Sequence, residues 1–268
     1  MKILASAISF LVIAACLRGA VPKSPYYPFA PADLEKIRAI SRAESIPDAP
    51  DLTLAWELYG KVQGSWKPGA PKPSKEVILQ LDELKSKLES APKPQWFQDA
   101  LNSSSAPSGQ VTLPKRIGDD VFFDEADSPA YQSQKALTIV YLAEHEIDRP
   151  DAVDKAGRYL TLLSVKHPWD WEVHALYARL LSDAELPDPS FHAAVMSIYL
   201  NPSPAIGDLE FFAFIGACSK KDQWDEIRRI IDETAPDERT AKQVSEKAKR
   251  MFKSKAKFQI VPPKNGSQ

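Results

Sequence analysis

The chain contains few residues whose type and spacing could support catalysis or metal binding. The run Asp119–Glu125 holds four carboxylates, and hard cations such as Ca²⁺ prefer clustered carboxylate oxygens. His167 and His174 lie seven residues apart, but Pro168 stands between them, so one helix face does not have to present both imidazoles. Glu144-His145-Glu146 could supply acid–base groups, although alternating charge is typical of a solvated helix face. None of these patterns predicts an active site or a metal site by itself.

Other signatures of catalysis and cofactor binding are absent from the sequence. There is no glycine-rich phosphate loop, no cysteine pair with metal-ligand spacing and no His-Glu-x-x-His run. The net charge of −2 creates no overall field that would select nucleic acid. We therefore expect no cofactor, no nucleic-acid partner and no enzymatic activity. The alternative is an exported helical enzyme whose site is built around Asp119–Asp127.

The first residues have the pattern of an export signal. Met1-Lys2 precedes an uncharged, mostly apolar run from Ile3 to Ala15, which is shorter than the roughly 20 residues that span a bilayer. Ile13-Ala14-Ala15-Cys16 resembles a bacterial lipobox, in which the cysteine is lipidated and becomes the new N-terminus. The resemblance implies a signal peptide and lipobox within residues 1–20. Ordinary signal-peptidase cleavage and a retained N-terminus remain alternatives.

The lipobox predicts an outer-membrane lipoprotein that faces the periplasm, held to the membrane by its lipid anchor. Cleavage without lipidation predicts a periplasmic or secreted protein instead. Cys16 and Cys218 are the only cysteines, so the processed chain would have no intramolecular disulfide. Cys218 follows an apolar stretch and is interpreted as a small core residue. Without a disulfide, the fold must be stabilised by packing of the hydrophobic residues, which make up 44% of the chain.

Proline-rich and helix-favouring stretches divide the rest of the chain. Residues 21–31 hold four prolines and predict an extended tether. Residues 32–104 have the pattern of an N-terminal helical region, and residues 105–127 that of a non-helical connector. The pattern of residues 128–257 predicts paired helices with a final capping helix. Residues 258–268 are expected to form a tail.

Three longer helices are predicted in the N-terminal region, over Ala32–Glu44, Asp51–Gln63 and Ser74–Ser90, followed by a shorter amphipathic piece over Gln95–Asn102. In the third, Ser74 is the predicted N-cap. Leu81, Leu84 and Leu88 recur there at helical spacing and predict a buried face.

Three helical hairpins are predicted beyond the connector. Ser128-Pro129 and Asp188-Pro189 each place a capping residue before a proline at the first helical position. A last amphipathic helix is predicted over Pro236–Lys257. The predicted pairs are Pro129–Ile147 with Asp151–His167, Trp169–Asp183 with Pro189–Leu200, and Ala205–Ser219 with Gln223–Thr234.

Pro168, Pro202 and Pro236 close these hairpins at intervals of 34 residues, the length of one tetratricopeptide unit. The second hairpin carries the large–small pair Tyr177-Ala178 and a small residue at Ser190. On these features the chain resembles the tetratricopeptide repeat family over about residues 128–257. The resemblance implies an all-α protein, an α-α superhelix of stacked hairpins.

Departures from the family pattern make the resemblance degenerate, and other paired-helix solenoids remain alternatives. Glu144 takes a position where the family has a small residue, and Phe212 and Trp224 replace two small residues in the third hairpin.

The same resemblance implies a concave groove, lined by the first helix of each pair, that holds a peptide or protein partner. The matching positions are Tyr141, His145, Glu172, Arg179 and Asp183. We therefore expect an exported scaffold for protein–protein interaction in the bacterial cell envelope. The alternatives are a structural envelope component without a groove ligand, in which these are ordinary exposed helix residues, and the enzyme described above.

Lipidation at Cys16 is directly testable by labelling with radioactive palmitate in a bacterial host. Wild-type protein and Cys218→Ala are expected to carry the label, and Cys16→Ala to lose it completely, because the Cys16 thiol is the lipidated group. Unlabelled wild-type protein would rule lipidation out.

Overall fold

The structure is a computed structural model of the 268-residue chain. It describes residues 29, 31–43, 49–64, 72–93, 97–99, 129–183 and 187–201, together with shorter stretches between 225 and 246. Within these ranges every regular element is an α-helix, which confirms the predicted all-α class. The first helix of the third predicted hairpin, the connector, the tail and both cysteines lie outside the described residues. The described residues of its second helix (225, 228–229 and 231–233) and of the predicted capping helix (238–243 and 245–246) are helical.

The longer helices of the described ranges follow one another in two groups, before and after the connector. Their bounds are α1 Pro31–Ala43, α2 Pro50–Gly64, α3 Lys75–Ser90, α4 Pro129–Glu146, α5 Ala152–Lys166, α6 Trp171–Asp183 and α7 Pro187–Leu200.

The chain divides into two compact units. The first contains residues 32–173, which include α2 to α5 and the start of α6. The second contains residues 22–31 and 174–268, which include the rest of α6 and α7.

The N-terminal helices lie close to their predicted positions. Ser74 caps α3, since its Oγ accepts a hydrogen bond from the Val77 amide at 3.3 Å. Leu81, Leu84 and Leu88 are buried along one side of α3, as their spacing predicts.

Two helices after the connector begin elsewhere than predicted. α6 begins at Trp171 rather than Trp169, because Asp170 is its cap: Asp170 Oδ1 accepts from the amides of Glu172 at 2.9 Å and Val173 at 3.3 Å. α7 begins at Pro187 rather than Pro189. A proline suits the first helical position, where no amide hydrogen is needed.

A tight turn joins α4 to α5. Arg149 N donates to Glu144 O at 3.0 Å, and this hydrogen bond satisfies a carbonyl oxygen of the last turn of α4. Asp148 and Asp151 then adopt left-handed backbone angles, with φ of 58° and 62°. Aspartate tolerates this conformation better than most residues, so the chain can reverse within five residues.

Helix α4 lies at the centre of the first unit. It packs against α2, α3 and α5, and every residue from Gln134 to Glu144 is buried. A helix that is covered on all sides must place its polar residues against partners inside the protein. On α4 the charged members of that set are Lys135 and Glu144.

In the second unit, α6 and α7 meet at two small residues. Ser190 Oγ donates to the Ala178 carbonyl oxygen at 2.7 Å, and both residues are fully buried. The small side chains allow the two backbones to approach closely. None of the helices in the described ranges has the length and apolar character that crossing a membrane requires.

The packing of α3 predicts a large difference between two leucines on the same helix. Leu81 is 0% exposed and Leu79 is 58% exposed. Leu81→Ala is expected to lower the free energy of unfolding by about 2–5 kcal/mol, and Leu79→Ala to change it by less than about 0.5 kcal/mol. Urea unfolding followed by circular dichroism measures both, and equal effects would contradict the packing of α3.

Candidate functional site

A buried ionic cluster joins the N-terminal half of α4 to the start of α6. It consists of Tyr131, Lys135, Asp170 and Glu172, and we call it the Lys135 cluster. Lys135 Nζ lies 2.7 Å from Asp170 Oδ2 and 2.5 Å from Glu172 Oε2, and the Tyr131 hydroxyl donates to the same Asp170 oxygen. The side chains of Lys135 and Asp170 are each 1% exposed. Two charges are thus fully withdrawn from water.

Local sequence explains how the cluster assembles. Tyr131 and Lys135 are four residues apart on a helix and therefore share one face. Asp170 caps α6 with one carboxylate oxygen and binds Lys135 and Tyr131 with the other. Glu172 lies in the first turn of α6, where the helix dipole favours negative charge. Each oxygen of the buried Asp170 carboxylate consequently has hydrogen-bond donors.

Aromatic rings enclose one side of the cluster. The Tyr131 ring centroid lies 4.0 Å from that of His167 and 5.4 Å from that of Trp169. These three side chains are buried. The rings exclude water, which strengthens the electrostatic interactions beside them.

Lys135 and Asp170 remain ionised at neutral pH. Burial lowers the pKa of Lys135, but the charges of Asp170 and Glu172 outweigh burial, so the net pKa lies above its ordinary value. Burial raises the pKa of Asp170, and the Lys135 charge with the surrounding hydrogen bonds brings it below its ordinary 3.8. Burial, followed by the Asp170 charge, holds the pKa of Tyr131 well above 10.0, so its hydroxyl stays a neutral donor.

These directions decide what chemistry the cluster can perform. A catalytic lysine needs a lowered pKa, so that its amine is free to attack or to accept a proton. Lys135 has the opposite shift and is bound to two carboxylates. The cluster therefore suits a structural role. Removing one partner of such a pair costs about 3–5 kcal/mol, whereas replacing the whole pair by well-packed neutral groups is often harmless.

A second group of charged residues surrounds Tyr141 at the other end of α4. The Tyr141 hydroxyl donates to Glu89 at 2.8 Å, and Lys85 and Lys155 lie 5.9 and 5.3 Å from its ring centroid. Lys85 also pairs with the buried Glu144 at 2.8 Å. Burial, with the Glu89 hydrogen bond, raises the pKa of Tyr141. The group places two lysines and two glutamates around one neutral ring.

The predicted partner-binding residues differ in their surroundings. In the first unit, Tyr141 is 3% exposed and bound to Glu89, and Glu172 is paired with Lys135. His145 is half-buried there. In the second unit, Arg179 is half-buried, and Asp183 ends α6 with its side chain outside the described residues. His145, Glu172 and Arg179 thus keep partly accessible side chains, and of these Glu172 is already paired with Lys135.

The other candidate residues of the sequence have structural surroundings. His174 packs edge-on against Phe29 with centroids 6.0 Å apart, and His167 stacks on Tyr131. Glu144 is buried against Lys85 instead of lying on a solvated face. In the described part of the chain, no three His, Cys, Asp or Glu residues are grouped so that they could hold a metal ion. The acidic run Asp119–Glu125 lies outside those ranges.

An open cleft of about 360 Å³ lies on the second unit, lined in part by Arg228, Asp232, Glu238, Lys242 and Glu246. Charges of both signs line its walls, so it presents no single charge that would select a ligand.

Sequence reasoning missed Lys135 and Asp170. One signal was available, since Lys135 is the only lysine or arginine in α4 and sits just before an apolar run. No protein-family model, curated protein or solved structure matches this chain. Function is therefore inferred from the sequence patterns, the helices and their side chains.

The lowered pKa of Asp170 predicts a loss of stability in acid. Its ionised form stabilises the fold above the unfolded pKa, and that contribution disappears as the pH falls through the lower folded pKa. Between those two values Asp170 contributes a slope of up to about 1.4 kcal/mol per pH unit. Urea unfolding from pH 7 to pH 2 is expected to show a weaker acid dependence in Asp170→Asn than in wild type.

Leu81→Ala is the matched control for Asp170→Asn, because it lowers stability without removing a titrating group. It is expected to keep the wild-type acid dependence. Parallel pH profiles for wild type and Asp170→Asn would contradict the role assigned to Asp170.

Proposed function

We propose that this chain is an exported, lipid-anchored helical-repeat scaffold that binds a protein partner in a bacterial cell envelope. The packing of α4 is the observation that carries the proposal. This helix contacts both α2 and α3, and also its own hairpin partner α5. Stacked helical pairs have this pattern of contacts, because each pair buries its apolar face on the next one.

The spacing of the second helices supports a tetratricopeptide-like repeat. α5 ends at Lys166 and α7 ends at Leu200, a separation of 34 residues. Ala156 in α5 and Ser190 in α7 have the same separation, and both are 0% exposed. Small buried residues at equivalent positions are what close helix pairing requires.

The first helices depart from this spacing, which makes the proposed repeats unequal. α4 ends at Glu146 and α6 ends at Asp183, a separation of 37 residues. Glu144 stands where a tetratricopeptide unit has a small residue, and its buried carboxylate is paired with Lys85 of α3. We propose that this pair lets α3 dock on α4, so that α2 and α3 act as one further unit of the stack.

The proposed partner contacts are made by partly accessible residues on each unit separately. These residues are His145 in the first unit and Arg179 in the second, whose side chains are half-buried. Tyr141 is left out because its ring and hydroxyl are already engaged within the first unit. The envelope location rests on the signal and lipobox pattern that ends at Cys16. The assignment to a binding function rests on analogy with other helical-repeat proteins.

Site-specific photocrosslinking in intact bacteria tests the binding function. A photoreactive amino acid at position 145 or 179 is expected to give one or more discrete crosslinked bands, because these residues are proposed to face the partner. The matched control replaces Glu83, an exposed residue of α3, and is expected to give none of those bands.

Two outcomes would contradict the proposed binding function. One is the absence of adducts at positions 145 and 179 in properly localised protein. The other is an identical band pattern at all three positions, which indicates random collisions. Repeating the experiment with Cys16→Ala separates partner binding from the anchor, since the anchor affects location and not the contacts themselves.

A further inference from the structure

We infer that the Lys135 cluster fixes the register in which α5 and the turn after it pack along α4. In this role the cluster selects one arrangement among several of similar stability. The inference concerns the first unit alone and does not depend on what the chain binds.

The apolar surface of α4 leaves the register open. Every residue from Ala136 to Ala143 is buried, and apart from the hydroxyl groups of Thr138 and Tyr141 the side chains of this stretch are apolar. A helix that is apolar on all sides offers similar contacts to a neighbour displaced by one turn. Hydrophobic packing alone therefore separates neighbouring registers only weakly.

The charges of the cluster can meet in only one register. Lys135 is the only lysine or arginine in α4, and Asp170 lies in the short turn between α5 and α6. A displacement of one helical turn moves this turn by about 5.4 Å along α4. Displaced toward the C-terminal end of α4, the Asp170 carboxylate would lie beside Thr138 and Ile139. Displaced the other way, it would lie beside Tyr131, which carries no positive charge. In either case Lys135 would remain buried without its main partner.

The cost of a displaced register is much larger than the net stability that the native charge pair adds. An uncompensated buried charge disfavours a displaced register by at least about 100-fold. The native pair, by contrast, adds little net stability over neutral groups of the same size, because its formation requires that both charges leave water. The cluster therefore destabilises displaced registers of α5 much more than it stabilises the native register. A buried polar residue that sets the register of a coiled coil works in the same way.

Trp169 provides a local probe of the register. Its ring centroid lies 5.4 Å from that of Tyr131 on α4, so a displaced turn changes the ring currents that Trp169 experiences. The chain has six tryptophans, and labelling with 5-fluorotryptophan gives one fluorine resonance for each environment. Comparison with Trp169→Phe identifies the resonance of Trp169.

The test compares wild type with the triple variant Lys135→Met/Asp170→Asn/Glu172→Gln, using the full chain. These substitutions remove the charges and nearly preserve side-chain volume, and the asparagine that replaces Asp170 can still cap α6. The thermal midpoint is expected to stay within about 8 °C of wild type. The single Trp169 resonance is expected to split into at least two lines, or to broaden at least about twofold, as registers interconvert.

A second variant, Asp82→Asn/Arg149→Gln, removes an exposed ion pair of the same unit and is expected to keep one Trp169 line. Three results would overturn the inference. A single sharp Trp169 line in the triple variant would mean that packing already sets the register. Loss of cooperative unfolding in that variant would mean that the cluster is needed for stability. Splitting in the control variant would mean that any lost ion pair has this effect.

Discussion

The first unit depends on one constraint, which is that α4 is covered on all sides and yet carries two charges. Lys135 and Glu144 stand at opposite ends of its buried stretch, and each needs a counter-charge from another element. Asp170, from the turn after α5, satisfies Lys135, and Lys85 of α3 satisfies Glu144. Charge pairing as well as apolar contact therefore determines which elements pack against α4. Leaving either charge unpaired would cost several kcal/mol, a large share of the stability of a typical domain.

Those features that depend on local sequence could be predicted. The leucine spacing in α3 and the Ser74 cap are set by neighbours within a few residues, and both agree with the structure. The predicted start of α6 at Trp169 was wrong by two residues, because the helix pattern did not show that the side chain of Asp170 caps a helix that begins at Trp171.

The candidate site was harder to predict, because its contacts join distant parts of the chain. Lys135 and Asp170 are 35 residues apart, and Tyr141 and Glu89 are 52 residues apart. The repeat pattern predicted that Tyr141 lines a binding groove. The burial of this side chain results from α3 and α5, whose lysines Lys85 and Lys155 lie near its ring. No periodicity within α4 contains this information.

The turn between α4 and α5 has a consequence for which sequences this hairpin can accept. Asp148 and Asp151 both have positive φ, a conformation that costs a β-branched residue substantially and glycine almost nothing. Asparagine and glycine are therefore the natural replacements at these two positions, whereas valine or isoleucine would disfavour the reversal. A related chain with Asn or Gly at both positions would preserve the hairpin even if its surface residues had changed completely.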